Sequence, residues 1–108
     1  MSNYSTFGLP WDSLAMKPQL SALGGNILST WPLGDLGGYA VISGTSMATP
    51  FVAGCYALVK SQFPKLSLAE IRAKLQSTST PVAYLPDKSI LSTAIHQGAG
   101  LVNPYKAI

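Results

Sequence analysis

Apolar and polar positions divide the chain into a heavily punctuated first half and a helical second half. Residues 1–18, broken by Gly8, Pro10 and Pro18, carry no period and read as loop. Gln19–Ala22 and Asn26–Trp31 predict two short strands separated by Gly24-Gly25, and Pro32–Gly38 is turn-rich. Tyr39–Ile42 is a nearly continuous apolar run, the pattern of a strand covered on both faces. Ser46–Gln62 predicts the longest helix. Its Met47, Phe51, Val52, Cys55, Tyr56, Leu58 and Val59 go right round the axis, and a helix without a polar face has to be surrounded. Pro50 falls in the first turn, where a missing N–H costs little, and Phe63-Pro64 ends the helix. Ser67 and Glu70 then stand at capping-box spacing and open a second helix, Ser67–Gln76. Its Leu68, Ile71 and Leu75 form a narrow apolar stripe, with Arg72 and Lys74 facing outward. Ser77–Ser92 reads as loop, Gly98–Asn103 as a tight turn and short strand, and Pro104–Ile108 as a terminal stub.

Composition sharpens the problem posed by the all-round helix. The 108 residues suffice for one small domain, yet only 10% are charged while 47% are hydrophobic, against roughly 25% charged in ordinary soluble domains. So few charges clothe a free surface poorly, and the chain reads as an interior slab of something larger. The net charge of +3 comes from scattered lysines and one arginine, with no basic run, which does not recommend nucleic acid as a partner. Cys55 is the only cysteine; an intrachain disulfide is impossible, a zinc site lacks its usual ligands, and Cys55 reads as a small core residue. No apolar run reaches the roughly 18 residues of a membrane span, and no signal peptide is visible at Met1–Thr6.

Candidate chemistry concentrates where the apolar strand meets the long helix, at Ser46. Serine is among the preferred helix N-caps, so a structural role competes with a chemical one. As a nucleophile it needs a base to take its proton, and a helix N-terminus offers free N–H groups and a positive dipole end for a developing oxyanion.

Gly44-Thr45-Ser46-Met47-Ala48-Thr49-Pro50, continued by Val52-Ala53-Gly54, closely resembles the active-site serine motif of subtilisin-like serine proteases. Flanking segments agree in order: Ser5-Thr6-Phe7-Gly8, Ser21-Ala22 with Gly24–Thr30, the capped helix at Ser67, and Gly98–Asn103. The wording of Gly24–Pro32 and Gly37–Pro50 looks most like the secreted fungal members. Leu9 and Leu23 stand where the family usually has proline, a departure in loop rigidity rather than chemistry. The resemblance implies an α/β fold contribution: the C-terminal part of a parallel-sheet catalytic domain, spanning 1–108, with a buried serine helix and an outer amphipathic helix. It implies Ser46 as nucleophile, with its own N–H as an oxyanion donor. It further implies peptide-bond hydrolysis through an acyl-enzyme, protein or peptide substrates, secretion and no cofactor in the chemistry. Calcium sites occur in the family, but no acidic cluster here supports one.

The rest of the catalytic set does not match. In subtilisins the triad runs Asp, His, Ser along the chain, yet the single histidine, His96, follows Ser46. Asp12 and Asp35 precede it outside the Asp-Ser/Thr-Gly setting, and Asn3 and Asn26 do not match the oxyanion asparagine. The order Ser46, Asp87, His96 is that of α/β-hydrolases, but Ala48 breaks the Gly-x-Ser-x-Gly elbow that fold requires; His96 reads as a solvated turn residue. The expectation is therefore a nucleophile whose partners lie in a missing N-terminal part of the domain, inert in isolation. Its rivals are a non-catalytic truncated paralogue or interaction remnant, and complementation in trans by a separate fragment.

Overall fold

The computed structural model describes residues 1–11 and 15–108; Asp12, one of the two aspartates preceding Ser46, lies outside them. The element order is β1 (Ile27–Thr30), α1 (Leu33–Leu36), β2 (Tyr39–Ile42), α2 (Thr45–Gln62), α3 (Leu68–Thr78), α4 (Ala94–Gln97) and α5 (Pro104–Ala107). The chain is mixed α/β.

β1 and β2 pair antiparallel, Ile27 with Ile42 through Thr30 with Tyr39, joined across the single turn of α1. The expected last strands of a parallel sheet are thus represented otherwise among the described residues. The parallel contact is an isolated bridge, Ser21 to Leu101, and Gln19–Ala22 forms no longer strand. Covering of β2 on both faces is not met either: Ala40 is buried, but Tyr39 and Val41 are 66% and 62% exposed. Opposed residues of an antiparallel pair share a face, so Leu28 lies open beside Val41.

The core lies where α2, α3 and α5 meet. Val59, Ile71, Leu75 and Ala107 are fully buried, with Cys55 and Val102 nearly so; Tyr56, Phe63 and Leu66 pack around them. The terminal stub is a short helix. Asn103 caps it, its side chain accepting from the Lys106 N–H at 3.2 Å, and Pro104 holds the first position. Within α3 the stripe holds at Ile71 and Leu75 but fails at Leu68, which is 71% exposed. Helical side chains lean toward the N-terminus, so a first-turn residue overhangs the end of its helix. Lys74 does not point freely outward: its Nζ sits 4.6 Å from the centre of the Phe63 ring. The segment after α3 closes on itself, with Tyr84 N–H donating to Ile90 O and Ser92 N–H to Val82 O, both at 2.9 Å. Buried Gln97 ties it down, its Oε1 accepting from the Val82 N–H at 2.7 Å and its Nε2 donating to Ser92 O.

The capping box of α3 forms in both directions, Glu70 N–H to Ser67 Oγ and Ser67 N–H to Glu70 Oε2. Hydrogen bonds from the Ser67 hydroxyl and N–H hold the Glu70 carboxyl below the ordinary glutamate value. A carboxyl lowered on folding stabilises above its unfolded pKa and loses that contribution as pH falls through the folded one. These contacts are local, so a peptide of residues 63–80 carries them. Its Glu70 is expected to titrate below an ordinary glutamate and its helix content to fall on acidification. Ser67→Ala is expected to return the titration toward the ordinary value and cost about 1 kcal/mol of helix stability, read by NMR titration and circular dichroism.

Candidate active site

Ser46 is not the cap of α2. That position belongs to Gly44, which makes no side-chain cap, and Thr45 is the first helical residue. Ser46 is therefore the second residue of an 18-residue helix, and it is exposed. Its N–H belongs to the first turn, whose donors have no intrahelical acceptor, beside the positive end of the helix dipole. The local hydrogen bonds go to its neighbours: Met47 N–H to Gly44 O at 3.1 Å, and the Thr49 hydroxyl to Thr45 O at 2.9 Å. This is a hydroxyl presented at a helix start with its backbone donor left over.

The junction is held from the side by the segment before β1. Gly44 N–H donates to Gly24 O at 2.8 Å, Asn26 N–H donates to Ser43 Oγ at 2.8 Å, and the Ser43 hydroxyl lies 3.3 Å from Asn26 Oδ1. Asn26 takes a left-handed backbone, φ 50°, which asparagine tolerates better than most residues. Gly24 permits the approach: a Cβ there would lie 2.6 Å from Gly44 O and 3.1 Å from Ala48 Cβ. Beside Ser46, a hollow of about 160 Å³ opens between the strand pair and the helix, lined by Ile27, Ala40, Ile42, Met47 and Pro50 among others. A larger groove of about 670 Å³ lies between the first 22 residues and the other side of α2.

The remaining sequence candidates are not brought to Ser46. The Asp87 carboxylate accepts from Ser89 N–H and Oγ at 2.9 and 2.6 Å, contacts that lower its pKa. His96 lies in α4 and is half-buried, its ring 4.1 Å from that of Phe7 and tilted by 57°; the solvated-turn expectation is corrected on that point. Neither residue lines the hollow at Ser46. Asp35 sits exposed in α1, and Asn26 is engaged with Ser43. Cys55 is buried in the core, and burial pushes its thiol pKa up, as befits an unreactive packing residue. Among the described residues, no three His, Cys, Asp or Glu side chains come together as a metal site, and no helix is long and apolar enough to cross a membrane.

What sequence reasoning missed is the set of contacts that hold the junction at Ser46. The Ser43–Asn26 clasp carries no motif. Gly24-Gly25 was legible as a break, but not as the point where two backbones touch.

Comparison with known proteins agrees with the family resemblance. The sequence model of the subtilase family matches residues 1–100. A subtilisin-like protease of Arabidopsis thaliana is 40% identical over 98 residues, 84% of this chain and 13% of that protein. The minor extracellular protease Vpr of Bacillus subtilis is 39% identical across all of this chain, which corresponds to 14% of its own length. The PII-type proteinase of Lactococcus lactis subsp. cremoris is 32% identical, again across the whole chain, which amounts to 6% of that protein.

The Gly24 contact has a paired test. Gly24→Ala forces Gly44 O and the first turn of α2 to shift, at a cost of about 1–3 kcal/mol. Gly25→Ala, whose Cβ would meet nothing within 4 Å, is expected to be nearly neutral. Denaturant unfolding of the two variants in the intact protein measures the difference.

Proposed function

The chain belongs to the subtilase family, and from that premise we propose that it is the C-terminal portion of a serine endopeptidase catalytic domain, with Ser46 as the nucleophile. The observation that carries this reading is the placement of the Ser46 hydroxyl. It stands at the second position of α2, exposed, within Gly44–Pro50, while glycine rather than serine occupies the cap. In the complete protein an upstream histidine takes the Ser46 proton as the hydroxyl attacks the scissile carbonyl, and an upstream aspartate orients that histidine. The peptide nitrogen leaves with the proton from the histidine, and water then hydrolyses the ester on Ser46 by the reverse sequence. In this reading the Ser46 N–H donates to the tetrahedral oxyanion, and the first turn of α2 favours negative charge there. No cofactor enters these steps.

The substrate is protein or peptide, and secretion follows the pattern of a relative that is itself extracellular by name. We read the chain as of the fungal secreted type on the resemblance of Gly24–Pro32 and Gly37–Pro50 to those members. Support for a missing N-terminal part comes from the 6–14% of their length that this chain spans in these relatives. Uncovered apolar side chains add to it: Leu28, Tyr39, Val41, Phe51 and Leu58 are all more than two-fifths exposed.

The same surface is what a non-catalytic truncated paralogue, or a remnant binding another chain, would present. Reading the frame upstream of Met1 separates the two. A His-Gly-Thr-His-type segment and an Asp-Ser/Thr-Gly segment in frame establish the protease; a transcript beginning just before Met1 makes Ser46 a relic. The purified 108-residue chain is expected to sediment as aggregate or molten species and to resist a fluorophosphonate, whereas rapid stoichiometric labelling of a stable monomer overturns the missing-partner reading. In the complete enzyme Ser46→Ala is expected to lower kcat about a millionfold, the loss known for the triad serine of subtilisin rather than a figure derived from this fold.

A further inference from the structure

We propose that Ser43 and Asn26 form a clasp that positions the Ser46 junction, making Ser43 a positioning residue for the reaction. The inference rests on the reading of Ser46 as nucleophile and goes beyond it by naming what aims that side chain. β2 ends at Ile42 and α2 begins at Thr45, so two residues, Ser43 and Gly44, carry the whole change of direction. Both are tied to one short segment. Gly44 N–H donates to Gly24 O at 2.8 Å; two residues later Asn26 N–H donates to Ser43 Oγ at 2.8 Å. The Ser43 hydroxyl then spends its proton on Asn26 Oδ1 at 3.3 Å. Ser43 Oγ thus acts as acceptor and donor toward a single residue. Asn26 in turn is held at φ 50°, a conformation that turns its N–H and side chain to the same neighbour.

The geometry matters because Ser46 is only three residues from Ser43. A serine nucleophile must hold its oxygen and its N–H at once on a reacting carbonyl, and misplacement of about 1 Å costs on the order of 100-fold in rate. Gly24 O and Asn26 N–H hold the turn from the neighbouring segment. They thereby fix the tilt with which the first turn of α2 leaves the sheet. Neither Ser43 nor Asn26 lines the hollow beside Ser46, so their effect on substrate affinity is expected to be small.

The test uses the catalytic domain extended upstream in its reading frame, with a fluorophosphonate and a peptide ester as probes. Ser43→Ala removes both side-chain bonds and is expected to lower kcat and the labelling rate about tenfold, with KM within twofold. Ser43→Thr, which restores the hydroxyl, is expected to recover most of the rate. Asn26→Gly keeps the left-handed backbone and the N–H donor, and loses only the longer bond; it is expected to cost about threefold. The Ser43→Ala, Asn26→Gly double variant is expected to match Ser43→Ala alone, since both remove parts of one contact. Equal rates in wild type and Ser43→Ala, or a loss that Ser43→Thr does not restore while the variants unfold at the same temperature, overturn the clasp and leave the nucleophile reading standing. A wild-type domain that folds, as shown by a cooperative melt, and still fails to label overturns both.

Discussion

The structure depends on a helix that has no polar face. α2 carries apolar residues around its full circumference, so its position is set wholly by what covers it. Within this chain the cover is confined to one face. Cys55 and Val59 are buried against α3 and α5, with Val52 and Tyr56 partly so, while Phe51 and Leu58 are each 42% exposed. Val59 lies about 20 Å along the axis from Ser46 at 1.5 Å per residue. The core therefore fixes the far end of a stiff rod, and the junction with the 24–26 segment fixes the near end. Ser46 is mounted between two anchors that have nothing to do with its chemistry.

Gly44 illustrates how that mount stays open. A Cβ at Gly44 would meet Met47 Sδ and Ser46 N no closer than 3.7 Å, so packing within this chain does not demand glycine there. Gly24, across the clasp, is the reverse case, with no room for a side chain between it and Gly44 O. One glycine lets two backbones touch. The other leaves bare backbone beside Ser46, the opening that the proposed nucleophile requires.

Elements governed by local rules were legible before any coordinates. The capping box at Ser67 and Glu70, the two long helices and the β2 strand all follow from spacing and periodicity over a few residues, and all are found. The errors share another cause. The short α5 was passed over although Asn103-Pro104 is a cap and first-turn pair, because four residues offer no period. The extent of pairing was not legible because it is decided by contacts distant in sequence; nothing in Gln19–Ala22 says that, among the described residues, only Ser21 bridges to Leu101. Burial of β2 failed because an apolar run records what a strand is built to meet, and here Tyr39 and Val41 stay 66% and 62% exposed. At the site, Ser46 was legible as a motif; its release from the cap was not, since Gly44, Thr45 and Ser46 are all acceptable near a helix start.

These facts divide the site into two kinds of precision. The backbone that carries Ser46 into α2 is held inside this chain by the contacts of Gly24, Asn26 and Ser43 and by the core around Val59. The relation of Ser46 to a base is not settled here, since His96 packs on Phe7 and Asp87 is spent on Ser89. On the proposed reading of Ser46, its base comes from another segment that docks across the open apolar faces, where Leu28, Tyr39 and Val41 lie together. Those faces carry few charges, so the docking is driven by burial and aimed by shape. The footing of Ser46 is thus local and stiff. The order of the open faces depends on how completely a low-charge surface is covered.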